Sequence, residues 1–411
     1  MAVITELSSA RRAATHPLPH AQTAQTIASR IAVIDVKRGI AMLIMMIDHV
    51  RETFFLHMQV GDPMVIERTD PALFFTRLAA HFCAPVFVFL TGLSAWLYAH
   101  PAHGARDATG FLFKRGLLLV ALELTLVNFA WTGTAPPSVL YLQVIWVIGL
   151  AMIALAALHR LPPKAVLLLG AAIVGGHNLL DAFVLGQVAQ GHLSLEPGSA
   201  AHVVWTVLEQ RGFLIADGPL KVKISYPLLP WIGVILLGYA AGPLYGAAMS
   251  AARRRALLLK LGIGAFGALA VLRGLNLYGE RAPWQPGADL LHSAMSFLNF
   301  TKYPPSLAFV LFTLGLGLLG LAWLEGRDNR ITRACATFGG APMFYYLLHL
   351  YVLLVLQRLA SAWLGDGGRY DVDSIASVWL IAAALIPLLY LPCRWFGRYK
   401  RTNGKTWVRY L

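Results

Sequence analysis

The chain is 411 residues long, 57% apolar and only 13% charged, with a mean hydropathy of +0.62. That is more hydrophobic surface than a soluble core can hide, which excludes an ordinary soluble enzyme and predicts an all-α polytopic membrane protein. The formal net charge of +14 does not point to nucleic acid, because Lys and Arg cluster in short segments between apolar runs, as a topology signal does.

Residues 1–29, with Arg11, Arg12 and many Ala and Thr, lack the apolar core of a signal peptide and read as a disordered cytoplasmic tail. Apolar spans follow at about 31–54, 72–99, 112–131, 138–158, 164–185, 225–249, 256–278, 304–324, 334–360 and 376–395, on the requirement of roughly 20 residues per crossing. About ten helices in one bundle place both termini on the same side. That side carries most of the basic residues, including Lys37, Arg38, Lys114, Arg115, Arg254 and the tail from Arg394, so the positive-inside rule makes both termini cytoplasmic. The expected organisation is one membrane domain, 30–396, with a basic tail, 397–411. An outer loop at about 186–224 contains the amphipathic stretch AAHVVWTVLEQR, expected to lie along the interface.

The first span, IDVKRGIAMLIMMIDHVRETFF, links a basic cluster to Asp48, His49 and Arg51. At 1.5 Å per residue, His49 stands about 28 Å from Arg30, close to the thickness of a bilayer core. Ionisable groups in apolar helices are costly and face a cavity or a partner. Here they gather in the outer halves: Arg77 and His81 four residues apart on one face, Glu123 and Asn128, His177 and Asp181, Arg273 and Asn276, and Lys302 with Tyr303. His349 lies mid-span. One polar chamber opening outward would collect them all. Against this, Arg51, Asp181 and Arg273 stand near enough to helix ends to snorkel to the headgroups, and a lone His349 suits a structural hydrogen bond to another helix.

Asp48 beside His49 suggests a carboxylate orienting a general base, although neighbours on a helix point about 100° apart. An ion pair of Arg77 with Glu123 or Asp48 is the structural use of the same charges. The GGAP at 339–342 reads as a helix start with Pro in the first turn. Cys83, Cys335 and Cys393 are scattered, the histidines lack an HExxH-type pair, and no GxxxxGK or GxGxxG loop occurs; disulfide, zinc and nucleotide hydrolysis are not expected.

DVKRGIAMLIMMIDHVR, TRLAAHFCAPVFVFLTGLSA, FLNFTKYPPSLAFVLFTLG and FGGAPMFYYLLHLYV together resemble the bacterial relatives of heparan-alpha-glucosaminide N-acetyltransferase, within the transmembrane acyltransferases. The resemblance implies a multi-pass inner-membrane enzyme that takes acetyl-CoA, or another acyl-CoA, from the cytosol and acylates a sugar or glycan on the outer side. Lys37 and Arg38 would then meet CoA phosphates, a role that competes with simple topology anchoring. Tyr303 and His349 complete the expected donor-binding set. His49 would be the base, and Arg77, His81 or Tyr303 would steady the oxyanion. The lysosomal member has its functional histidine in the outer loop and Asn at the place of His49, so His57, in the corresponding loop at a shorter spacing, is the second candidate. That member's lumenal N-terminal region has no counterpart here, and heparan sulfate is not expected as substrate. The oligomeric state, with a homodimer among the options, is left open. The alternative function is a secondary transporter of a small polar or anionic solute, which predicts inverted repeats, paired broken helices and midplane charges.

Overall fold

The computed structural model describes residues 19–101, 104–365, 368–403, 405, 408 and 410; the segment 1–18 with Arg11 and Arg12, the side chains of 19–31 with Arg30, and Arg409 lie outside the described residues. In chain order the helices are α1 (Pro19–Phe54), α2 (Pro71–His81), α3 (Cys83–Ala99), α4 (Thr109–Leu122), α5 (Asn128–Thr132), α6 (Val144–Leu158), α7 (Pro163–Ala189) and α8 (Ala200–Leu208). They continue as α9 (Leu229–Ala240), α10 (Ala251–Gly274), α11 (Leu290–Leu298), α12 (Leu307–Leu324), α13 (Arg330–Gly339), α14 (Pro342–Leu364) and α15 (Ile375–Thr402). Helix α1 thus takes in part of the 1–29 segment expected to be disordered.

Among the described residues, six segments are long and apolar enough to cross a membrane: Pro71–Ala99, which joins α2 and α3, and α7, α10, α12, α14 and α15. Helices α6 and α9 are apolar but shorter. The join between α2 and α3 is gentle, because Phe82 keeps helical backbone angles. Asp70 caps α2 by accepting from the backbone of Ala72 and Leu73, with Pro71 in the first turn. Between α4 and α5 the chain winds through one wide turn, Glu123–Val127, and it stops at Gly133 in the left-handed region. The 334–360 segment is two helices, α13 and α14, and the second begins with Pro342 in its first turn, as the GGAP reading expects.

The fold is not purely helical. Strands β1 (Val139–Leu142), β2 (Gly212–Ile215) and β3 (Lys221–Ile224) form a small sheet in the order β1-β3-β2, parallel between β1 and β3 and antiparallel between β2 and β3. Two of them come from the loop at 186–224, whose backbone amides would otherwise lack partners. Alongside, α8 buries Trp205 and Thr206 and exposes Val203 and Val204.

Helix α1 is the axis of the bundle, packed against α2, α3, α12, α13, α14 and α15. Its approach to α13 is backbone to backbone: a Cβ on Gly39 would run into the carbonyl of Cys335, and one on Gly339 into that of Asp35. This contact sets the depth of Arg38, whose guanidinium donates to the Gly339 carbonyl at 3.1 Å. The α1 end bearing Asp35 and Arg38 is the near end below, and the end bearing Asp48 to Phe54 is the far end.

Candidate functional site

At the far end of α1, Asp48 and Arg51 lie three residues apart on one face, and Arg51 Nε donates to Asp48 at 2.8 Å. Arg77 of α2 donates to the other Asp48 oxygen at 2.5 Å and grips Asp62, in the loop between the helices, with two bonds at 2.6 and 3.2 Å. His81 Nε2 meets the same Asp62 carboxylate at 2.8 Å. Burial raises the Asp62 carboxyl's pKa, but the Arg77 guanidinium and His81 more than reverse this and hold it well below the usual carboxylate range. The expected pair of Arg77 with Asp48 is therefore present. The one with Glu123 is not: Glu123 instead accepts from the backbone of Ile145 and Trp146, both at 3.0 Å, and caps α6.

Asp48 does not orient His49, because its oxygens are taken by Arg51 and Arg77 on another face of the helix. The partner of His49 is His349 of α14, whose Nε2 lies 2.7 Å from His49 Nδ1 with the rings stacked at 5.0 Å. The tautomers follow from the acceptors. His349 Nδ1 lies 2.8 Å from the Tyr345 carbonyl, which only accepts, so Nδ1 carries the proton and Nε2 has the lone pair. In the neutral pair His49 Nδ1 must then donate, leaving His49 Nε2 unprotonated. That nitrogen has no hydrogen bond among the described residues, and His49 is half-buried while its neighbours Asp48 and Val50 are buried. Trp131 and Tyr346 meet the imidazole edge to face at 5.0 and 6.2 Å.

Glu52 escaped the sequence reading, although it stands one turn beyond His49 on the same face. Its carboxylate has only long contacts, 3.3 Å from Arg51 and 3.5 Å from Arg77, and 31% of the side chain stays accessible in this otherwise closed cluster. His57 stands apart. It is 42% exposed and pairs with Asp371 at 2.6 Å, so it is a loop tie rather than part of the His49 network.

The near end holds a cavity of about 480 Å³. Arg38, Arg115 and Lys400 stand at its mouth with Asp35 and Ser94; Met42, Phe87, Ile148 and Met152 make its apolar walls, and Met45 and Tyr346 lie at the depth of the His49 pair. Arg38 donates to Asp35 at 2.8 Å and Ser94 at 3.0 Å. Arg115 Nε is buried with no partner among the described residues, which leaves uncompensated positive charge. Lys37 points elsewhere: its ammonium lies 4.2 Å over the Phe82 ring, against Gly320 of α12 and outside this cavity. Helix periodicity alone separates it from Arg38 by about 100°.

Tyr303 packs near the far end, 4.9 Å from Tyr226, to whose hydroxyl it donates at 3.3 Å. The remaining polar groups do not share one chamber, contrary to expectation. His177 pairs with Glu209 at 2.7 Å, both fully buried, and Asp181 pairs with Arg281. Arg273 is spent on the carbonyls of Ala282, Ser296, Phe297 and Asn299. Arg51, Asp181 and Arg273 are thus buried and partnered, not snorkelling. No group of His, Cys, Asp and Glu suited to a metal occurs among the described residues.

No curated protein matches the chain. Residues 30–272, which run from α1 through α10 and hold His49, Glu52, Asp62 and Arg77, match the family described as "Heparan-alpha-glucosaminide N-acetyltransferase, catalytic". The match covers more than half of the chain, and with six helices among the described residues apolar and long enough to cross a bilayer it makes this a multi-pass membrane protein that belongs to the heparan-alpha-glucosaminide N-acetyltransferase catalytic family.

Proposed function

We propose that this protein moves an acetyl group from cytosolic acetyl-CoA, entering at the near end, to a sugar or glycan acceptor at the far end, outside the cell's inner membrane. The observation that carries the reading is the free Nε2 of His49, held between a cationic-mouthed cavity on one side and an accessible polar cluster on the other. The ten apolar spans of the sequence, six of which hold helices long and apolar enough to cross a membrane among the described residues, together with Arg38, Arg115, Arg254 and Lys400 at the near end, are what supports ten crossings, both termini in the cytosol and a single membrane domain over 30–396.

Arg38, Arg115 and Lys400 meet the CoA phosphates, and the pantetheine lies along the apolar wall. A volume near 480 Å³ is within the range of small-molecule sites, about 300–1,000 Å³. The thioester reaches past Met45 and Tyr346 to His49. The acceptor enters past Glu52, which takes a hydrogen bond from one of its hydroxyl or amine groups. His49 Nε2 removes the proton of the attacking group, the tetrahedral intermediate collapses, and the same proton passes to the departing CoA thiolate. His349 keeps Nδ1 of His49 protonated and so keeps Nε2 a base. Lys37 and His57 have no part in these steps.

Calorimetry with acetyl-CoA on the purified full chain in detergent tests the donor. Micromolar binding, weakened tenfold or more by Arg115→Ala and by a Met152→Trp plug but unchanged in Lys37→Met, is the expected result. Absence of binding to acetyl-CoA and longer acyl-CoAs would sink the reading and leave the far-end cluster as a solute site of a transporter.

A further inference from the structure

The far end holds another cavity, of about 240 Å³, that no step above uses. Its walls come from the loop after Asp62, from the loop between α10 and α11, and from α11 itself. These walls are pinned. Arg273, at the end of α10 and only 2% exposed, donates to the carbonyls of Ala282, Ser296, Phe297 and Asn299 and so ties the second loop to α11. Asn276 exchanges two bonds of 3.0 Å with the backbone of Trp284, and the hydroxyls of Ser296 and Ser293 accept from the amides of Gln285 and Gly287, each at 2.9 Å. On the opposite wall the Asn299 amide exchanges bonds of 2.7 and 2.8 Å with the backbone of Met64. A cavity whose walls are fixed in advance loses little entropy on taking a ligand.

The groups left over define that ligand. Glu67 and Gln285 line the cavity with no side-chain hydrogen bond among the described residues. His292 turns Nδ1 to the Asp289 carboxylate at 2.8 Å; a carboxylate only accepts, so Nδ1 carries the proton and Nε2 of the neutral ring is a free acceptor. Acceptors therefore outnumber donors: two oxygens of Glu67, Nε2 of His292 and the amide oxygen of Gln285, against the Gln285 NH2 and the Ser296 hydroxyl. Among the described lining residues the one Arg or Lys is Arg273, and all three of its nitrogens are on carbonyls. Pro283 and Pro286 add flat apolar surface. Such a cavity fits a ring that carries hydroxyl or ammonium donors and has an apolar C–H face, and it repels a carboxylate or sulfate, which would meet Glu67 with no free cation. A volume of 240 Å³ equals about eight waters at ~30 Å³ each, room for one sugar ring.

The cavity adjoins the reaction site. Met64 lies two residues beyond Asp62, a span of at most about 7 Å, and Arg77 joins Asp62 at 2.6 Å to Glu52 at 3.5 Å. Resting on the acetyl-transfer reading above, we propose that this cavity is a second sugar site: while one residue of a glycan is acylated beside His49 and Glu52, another residue of the same glycan, neutral or amine-bearing, sits among Glu67, Gln285 and His292. The acceptor is then an oligosaccharide, without uronate or sulfate at that place. No bond is made or broken in the cavity; it holds the acceptor by a part that does not react.

The full chain in detergent is titrated by calorimetry with glucosamine, with its β-1,4-linked tetramer and with a sulfated, uronate-containing tetrasaccharide from heparin. Wild type is compared with Glu67→Ala and with Gln285→Trp, whose indole fills the cavity, and thermal unfolding checks that both variants fold. Wild type should bind the tetramer at least tenfold more tightly than glucosamine and bind the sulfated tetrasaccharide more weakly than the tetramer; both variants should lose the tetramer's advantage. In release of CoA thiol from acetyl-CoA, Gln285→Trp should raise KM for the tetramer tenfold or more. Equal affinity of wild type for tetramer and glucosamine, or no measurable binding of the tetramer, overturns the second site. So does tighter binding of the sulfated tetrasaccharide, or a Gln285→Trp protein that melts normally and keeps the tetramer's advantage. A wild type that binds the tetramer as expected but releases no CoA leaves the sugar site standing and overturns acetyl transfer instead.

Discussion

Replacing His349 with leucine tests the hydrogen-bond chain that makes His49 a base. The change removes the one acceptor that His49 Nδ1 has among the described residues, 2.7 Å away, and leaves that N–H without a partner in a largely closed site. An unsatisfied buried donor costs about 1–3 kcal/mol. If the ring escapes the cost by moving its proton to Nε2, the lone pair needed by the acceptor is gone. Charged to the transition state, that range lowers turnover by about 5- to 150-fold. The effect belongs in kcat, since His349 does not line the near-end cavity, and KM for acetyl-CoA should stay within about twofold. Leucine also gives up the stacking on Tyr345, at 5.0 Å, so unfolding in detergent is followed in parallel to separate lost structure from lost chemistry. His349→Gln, whose amide oxygen can again accept from His49 Nδ1, should recover part of the loss. The assay is release of CoA thiol with glucosamine as acceptor. Turnover of His349→Leu within twofold of wild type, in a protein that melts normally, would refute the tautomer argument.

Two further outcomes follow from the site. His57→Ala should keep turnover within about twofold of wild type and change stability by no more than about 1 kcal/mol, since its bond to Asp371 is an exposed pair; a hundredfold loss would move the base from His49 to the loop. Asp62 links Arg77 to His81, and its folded carboxyl lies below the ordinary value despite burial, because of those two partners. Its stabilisation is therefore complete above about pH 4, the unfolded value, and drains as pH falls toward the folded one. Thermal unfolding in detergent should show the melting temperature dropping below about pH 4. Asp62→Asn should flatten that drop while costing about 3–5 kcal/mol at pH 7, since it breaks a buried pair on one side. A melting temperature level from pH 6 to pH 3 in wild type would contradict the assignment.

Composition and periodicity by themselves determined that the chain is a helical membrane protein, because apolar runs near bilayer length and basic connections are local properties of sequence. Asp48, His49, Arg77 and His81 were legible too, since ionisable groups in apolar segments stand out wherever they fold. What these residues touch was decided by tertiary structure. Asp48 and His49 are neighbours in sequence, yet a helix turns them to different faces, and the partner of His49 is His349, 300 positions away. The same turn sends Lys37 onto Phe82 and leaves Arg38 to the cavity. Arg115 and Lys400 read as topology charges until α4 and α15 bring them to one mouth with Arg38. The small sheet was hidden because a four-residue strand has too short a pattern to be distinguished from loop, and because β1 pairs with a strand distant in sequence, Val139 with Lys221. Lys302 was legible beside Tyr303 as an ionisable residue opening a span, but its burial, with the ammonium 5.2 Å from the Tyr303 ring centroid, was decided by packing.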